Sequence, residues 1–573
     1  MDRNGLSIVC VVCAIATVIC GHAGAMVDDP KAPSHLTRGW MERPTVMMRF
    51  SSAQTRSVAE WKETATAFAN NRGCCDEVWF STGESFPSVA WHRQHADCIR
   101  EAAADMRKLG IGVSMQFEMT IGHGDDFPTE EEKKVFDKSW TGWTGPDGTE
   151  CHYCNCPRQP GFLRRLEEIS ELYAVIHPSV VWIDDDLRID RHNPVSGKDG
   201  PGCWCAKCVS GFSAEEGRPW TRETLHAEWE KNNLIRERWE DFSVRSVAEV
   251  ALTIARAFRK VSPETRMGLQ TGGDRKRLSN IVLRRLEKEL GDKVCLRLGG
   301  DAYYDVSPYE QIAKSRELAA DRQRFELEDV VDNWCTEIES YPRAYGSRSA
   351  RSIALEAFSA LGWGFDTVSV FVMDRRSETD AFYSKYLLRP LISVTRFLND
   401  YCRENVGTLP AGFICPMDAH DIRVLIGLPL LPGIGWNWGE ISAEREALPG
   451  LGAVWGDFRS NLIPDFRGTP SAKLQVVRDR LSGSAPLKVV SPFVGLVFPR
   501  VKDDGALKTI GLIGARLDDQ QDIVIEIETG SENVVWRELD AVPVSLEVKV
   551  VDGRRRITIP RIGAWNAGYL KLF

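Results

Sequence analysis

The sequence lacks a basic excess, internal repeats and low-complexity segments. Its formal net charge of -9 is spread along 573 residues, which argues against a nucleic acid or a polybasic membrane contact as its partner. Beyond the first 25 residues it also lacks any apolar run long enough to cross a bilayer. Hydrophobic residues make up 43% of the chain, which is ample for a large core. These features indicate a globular protein of two or three domains.

The first 25 residues have the pattern of an export signal. Asp2 and Arg3 precede an apolar run from Leu6 to Cys20, and small residues at 23–25 fit a cleavage site. A retained membrane anchor is the alternative, although the run is short for a span. We expect residues 1–25 to be a signal peptide and the mature protein to be secreted or periplasmic, with no membrane span after signal removal.

Apolar strand-like runs alternate with amphipathic helical stretches from about residue 44 to 400. The runs lie at 45–52, 76–83, 111–120, 179–186, 266–273, 293–300, 330–340 and 366–374. Eight strands that are each followed by a helix predict an α/β fold of the (β/α)8 TIM barrel type. The runs are apolar on both faces, as is typical of parallel strands covered by helices. We assign residues 40–405 to this barrel.

The pattern changes after residue 405. Residues 406–490 mix short apolar runs with glycine and proline, which predicts an intermediate α/β or linker region. Residues 491–573 alternate polar and apolar positions between turn signals, as short antiparallel strands do. We therefore expect a smaller, all-β, sandwich-like domain at residues 491–573. The sequence leaves the oligomeric state open.

Two predicted strands end in acidic residues. "VVWIDDD" ends the fourth strand with Asp184, Asp185 and Asp186, and "CTEIES" carries Glu337 and Glu339 at the end of the seventh. Side chains alternate across a strand, so Asp184 and Asp186 should share a face, as should the two glutamates. Barrel enzymes place their active sites at this end of the strands. One carboxyl as acid and one carboxylate as nucleophile would suit cleavage of a glycosidic bond.

Other interpretations of the acids stay open. Three successive aspartates could bind a divalent cation through their oxygen atoms, or form salt bridges with arginines such as Arg188. Glu118, near the end of the third strand, adds a further acid at the same end of the barrel, which we call the barrel mouth. A group of acids there suits a ligand with several hydroxyl groups. Arg49 and Arg188 also lie near strand ends, where we expect them to hold substrate hydroxyl groups. Ion pairs that face the helices are the alternative for both arginines.

The chain has sixteen cysteines, and two groups of three are closely spaced. The groups are Cys151, Cys154 and Cys156, and the C-x-C-x2-C run of Cys203, Cys205 and Cys208. Three thiolates so close in sequence can converge on one tetrahedral metal but pair poorly with one another. With a fourth ligand from the first group, they predict a structural zinc that joins the third and fourth loops and takes no part in catalysis. Disulfides are the alternative in an exported protein, and His152 could replace one cysteine.

These motifs resemble those of the glycoside hydrolase family 42 β-galactosidases, within the clan A barrel glycosidases. "WIDDDLRI" followed by "GCWCAKCVSGF" is similar to the family's strand-four end and its cysteine run. The family's upstream zinc ligand precedes a proline, which favours Cys156 as the fourth ligand here. The family's nucleophile lies three residues before a proline, which implies Glu339 before Pro342. The family's Asn-Glu pair is Asp185-Asp186 here, so the resemblance implies Asp186 as the acid/base and Asp185 as the contact to the sugar.

The resemblance covers roughly residues 44–380 and implies a β-galactosidase-like glycoside hydrolase that acts on an oligosaccharide or glycoside by a retaining mechanism. Together with the N-terminal signal pattern, it predicts an exported enzyme. Glu339, or alternatively Glu337, would attack the sugar. Asp186, or alternatively Asp184, would donate the proton. The rival hypotheses are a non-catalytic carbohydrate-binding barrel and a metal-dependent hydrolase that uses the cluster 184–186.

Overall fold

The computed structural model describes residues 45–83, 87–118, 120–124, 130–190, 200–272, 275–300, 302–305, 308–341, 346–373, 381–415, 429–432, 453–457, 485–528 and 532–573. The predicted signal peptide, Pro342 and most of the region 406–490 lie outside these ranges. Within them, no helix combines the length and the apolar character that a membrane crossing requires.

From residue 45 to residue 404 the described residues form both strands and helices, and the described residues after 404 form strands. The strands are β1 (Val46–Arg49), β2 (Glu77–Ser81), β3 (Gly112–Phe117), β4 (Gly142–Thr144), β5 (Glu150–Asn155), β6 (Val180–Ile183), β7 (Arg266–Gly272), β8 (Val294–Gly299), β9 (Val331–Glu339), β10 (Thr367–Phe371), β11 (Leu409–Cys415), β12 (Leu430–Pro432), β13 (Ala453–Asp457), β14 (Leu487–Val489), β15 (Gly495–Val501), β16 (Leu507–Gly514), β17 (Gln520–Ile527), β18 (Val534–Glu538), β19 (Val544–Leu546), β20 (Val548–Val551), β21 (Arg554–Ile562) and β22 (Asn566–Leu572). The α-helices are α1 (Val58–Asn70), α2 (Val89–Lys108), α3 (Glu130–Val135), α4 (Pro160–Ala174), α5 (Ala206–Glu216), α6 (Arg222–Lys231), α7 (Asn233–Val261), α8 (Lys276–Leu290), α9 (Pro308–Phe325), α10 (Ala350–Gly362), α11 (Ala381–Tyr383) and α12 (Arg389–Glu404).

Eight parallel strands close into a barrel in the order β1-β2-β3-β6-β7-β8-β9-β10, and β10 returns to pair with β1. The predicted (β/α)8 TIM barrel is therefore confirmed, with one strand in each predicted run. Each strand is shorter than its run. The fourth barrel strand, β6, ends at Ile183. The backbone then turns, and the N–H of Leu187 donates to the carbonyl of Asp184 at 3.1 Å. The expected shared strand face of Asp184 and Asp186 does not exist for this reason.

Capping residues explain where several barrel helices begin. The hydroxyl oxygen of Ser88 accepts from the backbone N–H of Trp91 at the start of α2, and Ser349 does the same for Ser352 at the start of α10. Every residue of α10 except Arg351 is buried, because the C-terminal strands cover the side that faces away from the barrel. This helix has the all-round apolar sequence "IALEAFSALG", which fits a buried position.

The barrel interior is built in layers, with an apolar floor and a polar layer above it. Trp79 and Trp182 stack with ring centroids 4.4 Å apart, in a cluster completed by Met47, Val180, Cys295 and Cys335. Gly268 makes room for this stack, since a Cβ there would lie 2.5 Å from the Trp182 ring. Because inward-facing residues recur every second position, the residues two places further along fill the next layer toward the mouth.

The C-terminal strands form two packed sheets, which confirms the predicted all-β domain. One sheet has the order β12-β11-β15-β16-β22-β18-β19, with β13 beside β11, and the other has the order β14-β17-β21-β20. Ile510 and Leu512 of the first sheet pack against Ile523 and Ile557 of the second in a separate core. Strand β11 lies in the predicted intermediate region, yet it pairs with β15 and so belongs to the C-terminal sheet.

Candidate active site

Six side chains above the apolar floor form a closed ring, which is joined by hydrogen bonds and by an ion pair between Arg297 and Glu337. They are Arg49 (β1), Gln116 (β3), Asp184 (after β6), Gln270 (β7), Arg297 (β8) and Glu337 (β9). Arg49 Nε donates to Gln116 Oε1 at 2.9 Å, and Gln116 Nε2 donates to Asp184 Oδ1 at 2.8 Å. On the other side, Gln270 Nε2 donates to Asp184 Oδ1 at 3.3 Å, and Arg297 Nη2 donates to Gln270 Oε1 at 2.8 Å. Glu337 Oε1 closes the ring, since it lies 3.0 Å from Arg297 Nη1 and 2.5 Å from Arg49 Nη1. The ring joins acids of the fourth and seventh barrel strands at one mouth.

Glu337 is held between two arginines inside the ring. Burial raises the pKa of its carboxyl, but the positive charges of Arg297 and Arg49 lower it more, so the net pKa lies below the usual value. Glu337 is therefore ionised at neutral pH. Gly299 permits this arrangement, because a Cβ at Gly299 would lie 2.5 Å from Glu337 Oε2 and would clash with the Arg297 guanidinium.

Glu339 ends β9, two residues closer to the mouth than Glu337. It is half-buried, whereas Glu337 is only 4% exposed. Burial lowers the pKa of Arg49, but the carboxylates of Glu337, Glu339 and Asp184 raise it above its usual value. Both predicted nucleophiles therefore stabilise the charged form of Arg49. Of the two, Glu339 is the more accessible to solvent.

The three consecutive aspartates occupy different environments. Asp184 belongs to the ring. The Asp186 carboxylate is fully buried and accepts hydrogen bonds from the backbone N–H groups of Thr120 (3.2 Å) and Gly122 (2.9 Å) and from the Thr120 hydroxyl. Burial, assisted by the negative charge of Asp184, raises the pKa of Asp186 to about 7.

Asp185 is the aspartate that keeps access to solvent, with 28% of its side chain exposed. Burial raises the pKa of Asp185, but the nearby His123 imidazole and the charges of Arg297 and Arg188 lower it well below its usual range. Asp185 is thus a carboxylate at neutral pH, whereas Asp186 next to it can hold a proton.

The remaining predicted contacts lie around this mouth. Arg188 is buried, with Nη2 3.2 Å from Asp185 Oδ1, as in the predicted salt bridge. Glu118 is also buried; the Ser81 hydroxyl donates to its carboxylate, and its backbone N–H donates to the Thr82 hydroxyl at 3.0 Å. Direct contact of Arg49, Arg188, Asp185 and Glu118 with a substrate stays a prediction.

His123 is part of the site and was not identified from the sequence. Its Nε2 lies 3.6 Å from Asp184 Oδ2 and 3.8 Å from Asp185 Oδ1. Burial lowers the pKa of His123, but the nearby carboxylates of Asp185 and Asp184 raise it to about 9, so the imidazole is protonated at neutral pH. The available signal was its position between two glycines in the long loop after the third barrel strand.

Four buried cysteines converge as the zinc prediction requires. They are Cys156, Cys203, Cys205 and Cys208, whose sulfur atoms all lie within 4.8 Å of one another. Cys156 Sγ lies 3.5 Å from Cys208 Sγ and 3.6 Å from Cys205 Sγ. A tetrahedral zinc with bonds of about 2.3 Å separates its ligands by about 3.8 Å, so these residues fit a closed site of four thiolate ligands. None of the four is paired in a disulfide, and Cys151 and Cys154 lie outside the group.

A second group of metal-ligand types lies at the mouth itself. His123, Asp184 and Asp185 each offer one atom, and these atoms lie within 4.8 Å of one another. One imidazole nitrogen and two carboxylate oxygens are ligand types that a divalent cation accepts.

Solved structures with a similar fold include two glycosidases. One is α-L-fucosidase isoenzyme 2 from Paenibacillus thiaminolyticus, with a TM-score of 0.57 and 10% identity over 93% of this chain and 100% of that one. The other is a β-galactosidase from Rahnella sp. R3, with a TM-score of 0.53 and 10% identity over 94% of this chain and 99% of that one. At this identity the likeness establishes a shared fold. No protein-family model matches the chain, and no curated protein matches its sequence.

Proposed function

We propose that this chain is an exported glycoside hydrolase that cleaves glycosidic bonds in oligosaccharides or glycosides by a retaining, two-carboxylate mechanism. One observation carries the proposal: the barrel mouth holds a carboxyl that can keep a proton, Asp186 with a pKa raised to about 7, and a strand end with two acids, Glu337 with a lowered pKa and Glu339 two residues beyond it. Such a separation of pKa values lets one group hold a proton while the other stays anionic. The names of the two fold neighbours, an α-L-fucosidase and a β-galactosidase, agree with this reaction class.

Glu339 is the proposed nucleophile. It stands at the end of β9 and is half-buried, whereas the Oε1 atom of Glu337 is engaged by two guanidinium groups. Attack by Glu339 would form a glycosyl-enzyme, which water then hydrolyses. Glu337 is the alternative nucleophile. If Glu339 attacks the sugar, the ion pair between Glu337 and Arg49 would instead hold the neighbouring side chains in position.

Asp186 is the proposed acid, because its raised pKa leaves it partly protonated near neutral pH. Its carboxyl is covered by Thr120 and Gly122, so proton transfer requires this segment to move when the substrate binds. Asp184 is the alternative donor. The partly exposed Asp185 would accept a hydrogen bond from a sugar hydroxyl.

We also propose that the four-cysteine site holds a structural zinc. The third loop supplies Cys156 and the fourth supplies Cys203, Cys205 and Cys208, so one ion would join the two loops beside the mouth. Four thiolates leave no open position on the metal, so the site would contribute stability and no chemistry.

A metal-dependent hydrolase is the second candidate. It is favoured by one observation, the convergence of His123, Asp184 and Asp185 within 4.8 Å. A cation bound there could polarise a substrate or activate a water. This reaction would stop on mild chelation that leaves the fold intact, whereas the two-carboxylate reaction would continue.

The decisive experiment compares the wild type with Asp186→Asn and Glu339→Gln on a panel of nitrophenyl glycosides and oligosaccharides, with and without chelator. Loss of at least about a thousandfold in both variants, with chelator-resistant wild-type turnover, supports the proposal. If Glu337→Gln loses activity and Glu339→Gln stays active, Glu337 is the nucleophile. Sugar binding without turnover on any glycoside would instead identify a non-catalytic carbohydrate-binding barrel.

A further inference from the structure

Three tyrosines stand on the two neighbouring loops that follow the sixth and seventh barrel strands. Tyr303 and Tyr304 follow β8, and Tyr341 follows β9. Tyr341 is 53% exposed and Tyr304 is 41% exposed. Tyr386 and Phe573 are also this exposed. Exposed aromatic surface at a barrel mouth indicates a contact with a ligand.

Two of the three tyrosine rings are in contact. Tyr303 and Tyr341 meet edge to face with ring centroids 6.4 Å apart and an angle of 64° between their planes. Ala302, directly before Tyr303, has a φ of 64°, a left-handed conformation that alanine adopts at a steric cost. A backbone held in such a conformation beside a binding surface points to a functional requirement for the direction of the following side chain.

Hydrogen bonds tie the two loops together. The backbone N–H of Asp305 donates to the carbonyl of Ser347 at 3.1 Å, and the Asp305 carboxylate accepts from the N–H of Ser349 at 2.8 Å. The Tyr304 carbonyl accepts from Gln311 Nε2 at 2.9 Å. These links hold the tyrosines in place before any ligand arrives, which lowers the entropic cost of binding.

The tyrosines follow, along the chain, the two strands that carry Arg297, Glu337 and Glu339 of the candidate active site. Tyr341 lies two residues beyond Glu339, and Tyr303 lies four residues beyond Gly299, which adjoins Glu337. Both loops leave the carboxyl ends of β8 and β9, so the tyrosines lie on the same face of the barrel as the candidate active site.

We propose that Tyr303, Tyr304 and Tyr341 form a subsite for a pyranose ring other than the one whose bond is cleaved. The C–H groups on one face of a neutral pyranose pack on the electron-rich face of a tyrosine, while the phenol hydroxyl can bond a sugar hydroxyl. The inference rests on the proposed glycosidase function and narrows it: the substrate is an oligosaccharide of at least two units rather than a monosaccharide linked to a small aglycone.

The test compares Tyr341→Ala with the wild type in two assays. One is turnover of the nitrophenyl monosaccharide that the wild type cleaves best. The other is binding of neutral tetrasaccharides of β-1,4-linked galactose, glucose and xylose to the Glu339→Gln background by calorimetry. We expect Tyr341→Ala to weaken the best tetrasaccharide about tenfold or more and to leave monosaccharide turnover within about twofold.

Two control variants separate stacking from folding. Tyr341→Phe keeps the ring and should retain tetrasaccharide binding within about threefold, and Phe573→Ala removes an exposed aromatic of the C-terminal domain and should change neither assay. The subsite would be overturned if Tyr341→Ala reduced monosaccharide turnover and tetrasaccharide binding equally, or reduced neither. It would also be overturned if no tetrasaccharide bound. If the wild type cleaves nothing but still binds a tetrasaccharide through Tyr341, the glycosidase proposal fails while the tyrosine subsite stands.

Discussion

Oδ2 of Asp186 lies 2.9 Å from the backbone nitrogen of Gly122, so a buried carboxylate after the fourth barrel strand fixes the loop that follows the third. The same loop is held from its other side, because Asn155 Nδ2 donates to the carbonyl of Thr120 at 3.1 Å. Asn155 directly precedes Cys156 of the four-cysteine site. One continuous set of contacts therefore runs from the predicted zinc to the predicted acid.

Asp186→Asn should lower kcat/KM by at least about a thousandfold and also destabilise the protein. The amide can turn an N–H toward the N–H groups of Thr120 and Gly122, and a buried donor left without its acceptor costs about 1–3 kcal/mol. Thr120→Val, which removes only the hydroxyl contact, should cost less in both measurements. Steady-state kinetics and urea unfolding of the two variants test this, and an active, fully stable Asp186→Asn protein would remove Asp186 from the mechanism.

The pH dependence of turnover should follow Asp186. The pKa of its carboxyl is raised to about 7, so the protonated form that donates to the leaving group is lost as pH rises through that value. We expect kcat/KM to fall above about pH 7 in the wild type. A profile measured between about pH 4 and 10 checks this, and a limb that stays in place when Asp186 is replaced would belong to another group, such as His123.

Gly299→Ala should inactivate the protein, whereas Gly300→Ala should not. A Cβ at Gly299 meets the Arg297 guanidinium and Glu337 Oε2, and breaks the ring that positions both. A Cβ at Gly300 meets nothing within 4 Å. The expected loss of kcat/KM at Gly299 is about a hundredfold or more, as for a small displacement of catalytic groups. Equal activities of the two variants would show that the ring has no part in turnover.

His95 should make the fold sensitive to acid. Burial lowers the pKa of His95 to about 3 from its ordinary 6.5, while its ring nitrogens bond Thr55 and Tyr173. The unfolded chain binds this proton more readily, so the stability that depends on neutral His95 is present above about pH 6.5 and is lost as pH falls toward 3. His95→Gln should reduce the slope of unfolding free energy against pH by about 1.4 kcal/mol per unit between about pH 4 and 6. An unchanged slope would mean that His95 keeps its ordinary pKa.

The four-cysteine site should bind one zinc per chain. Cys205→Ser should lose the metal and lower the melting temperature, whereas Cys154→Ser, a neighbouring buried thiol outside the group, should retain it. Metal content by atomic emission and thermal unfolding give the two readouts. Chelation strong enough to remove the zinc should reduce stability before it reduces turnover, since a closed site does no chemistry. Zinc retained by Cys205→Ser would contradict the ligand assignment.

The barrel was predictable because its signals are local. Apolar runs of strand length alternate with helical periodicity, and the same pattern predicts that Asp184 and Glu337 meet at one mouth. The four cysteines were also predictable in part, since the C-x-C-x2-C spacing brings three thiols together without help from the rest of the fold. The β-sandwich followed in the same way from the period-two alternation after residue 490.

The roles of individual acids were not predictable, because exposure and pKa depend on residues that are distant in sequence. Asp184, Asp185 and Asp186 are adjacent and chemically identical, yet one joins the ring, one faces His123 and solvent, and one is buried under Thr120 and Gly122. The sequence by itself determined which acids reach the mouth, since strand order and periodicity are local properties. Only the tertiary structure decided which of them can hold a proton, since desolvation and neighbouring charges arise when separate strands and loops pack together.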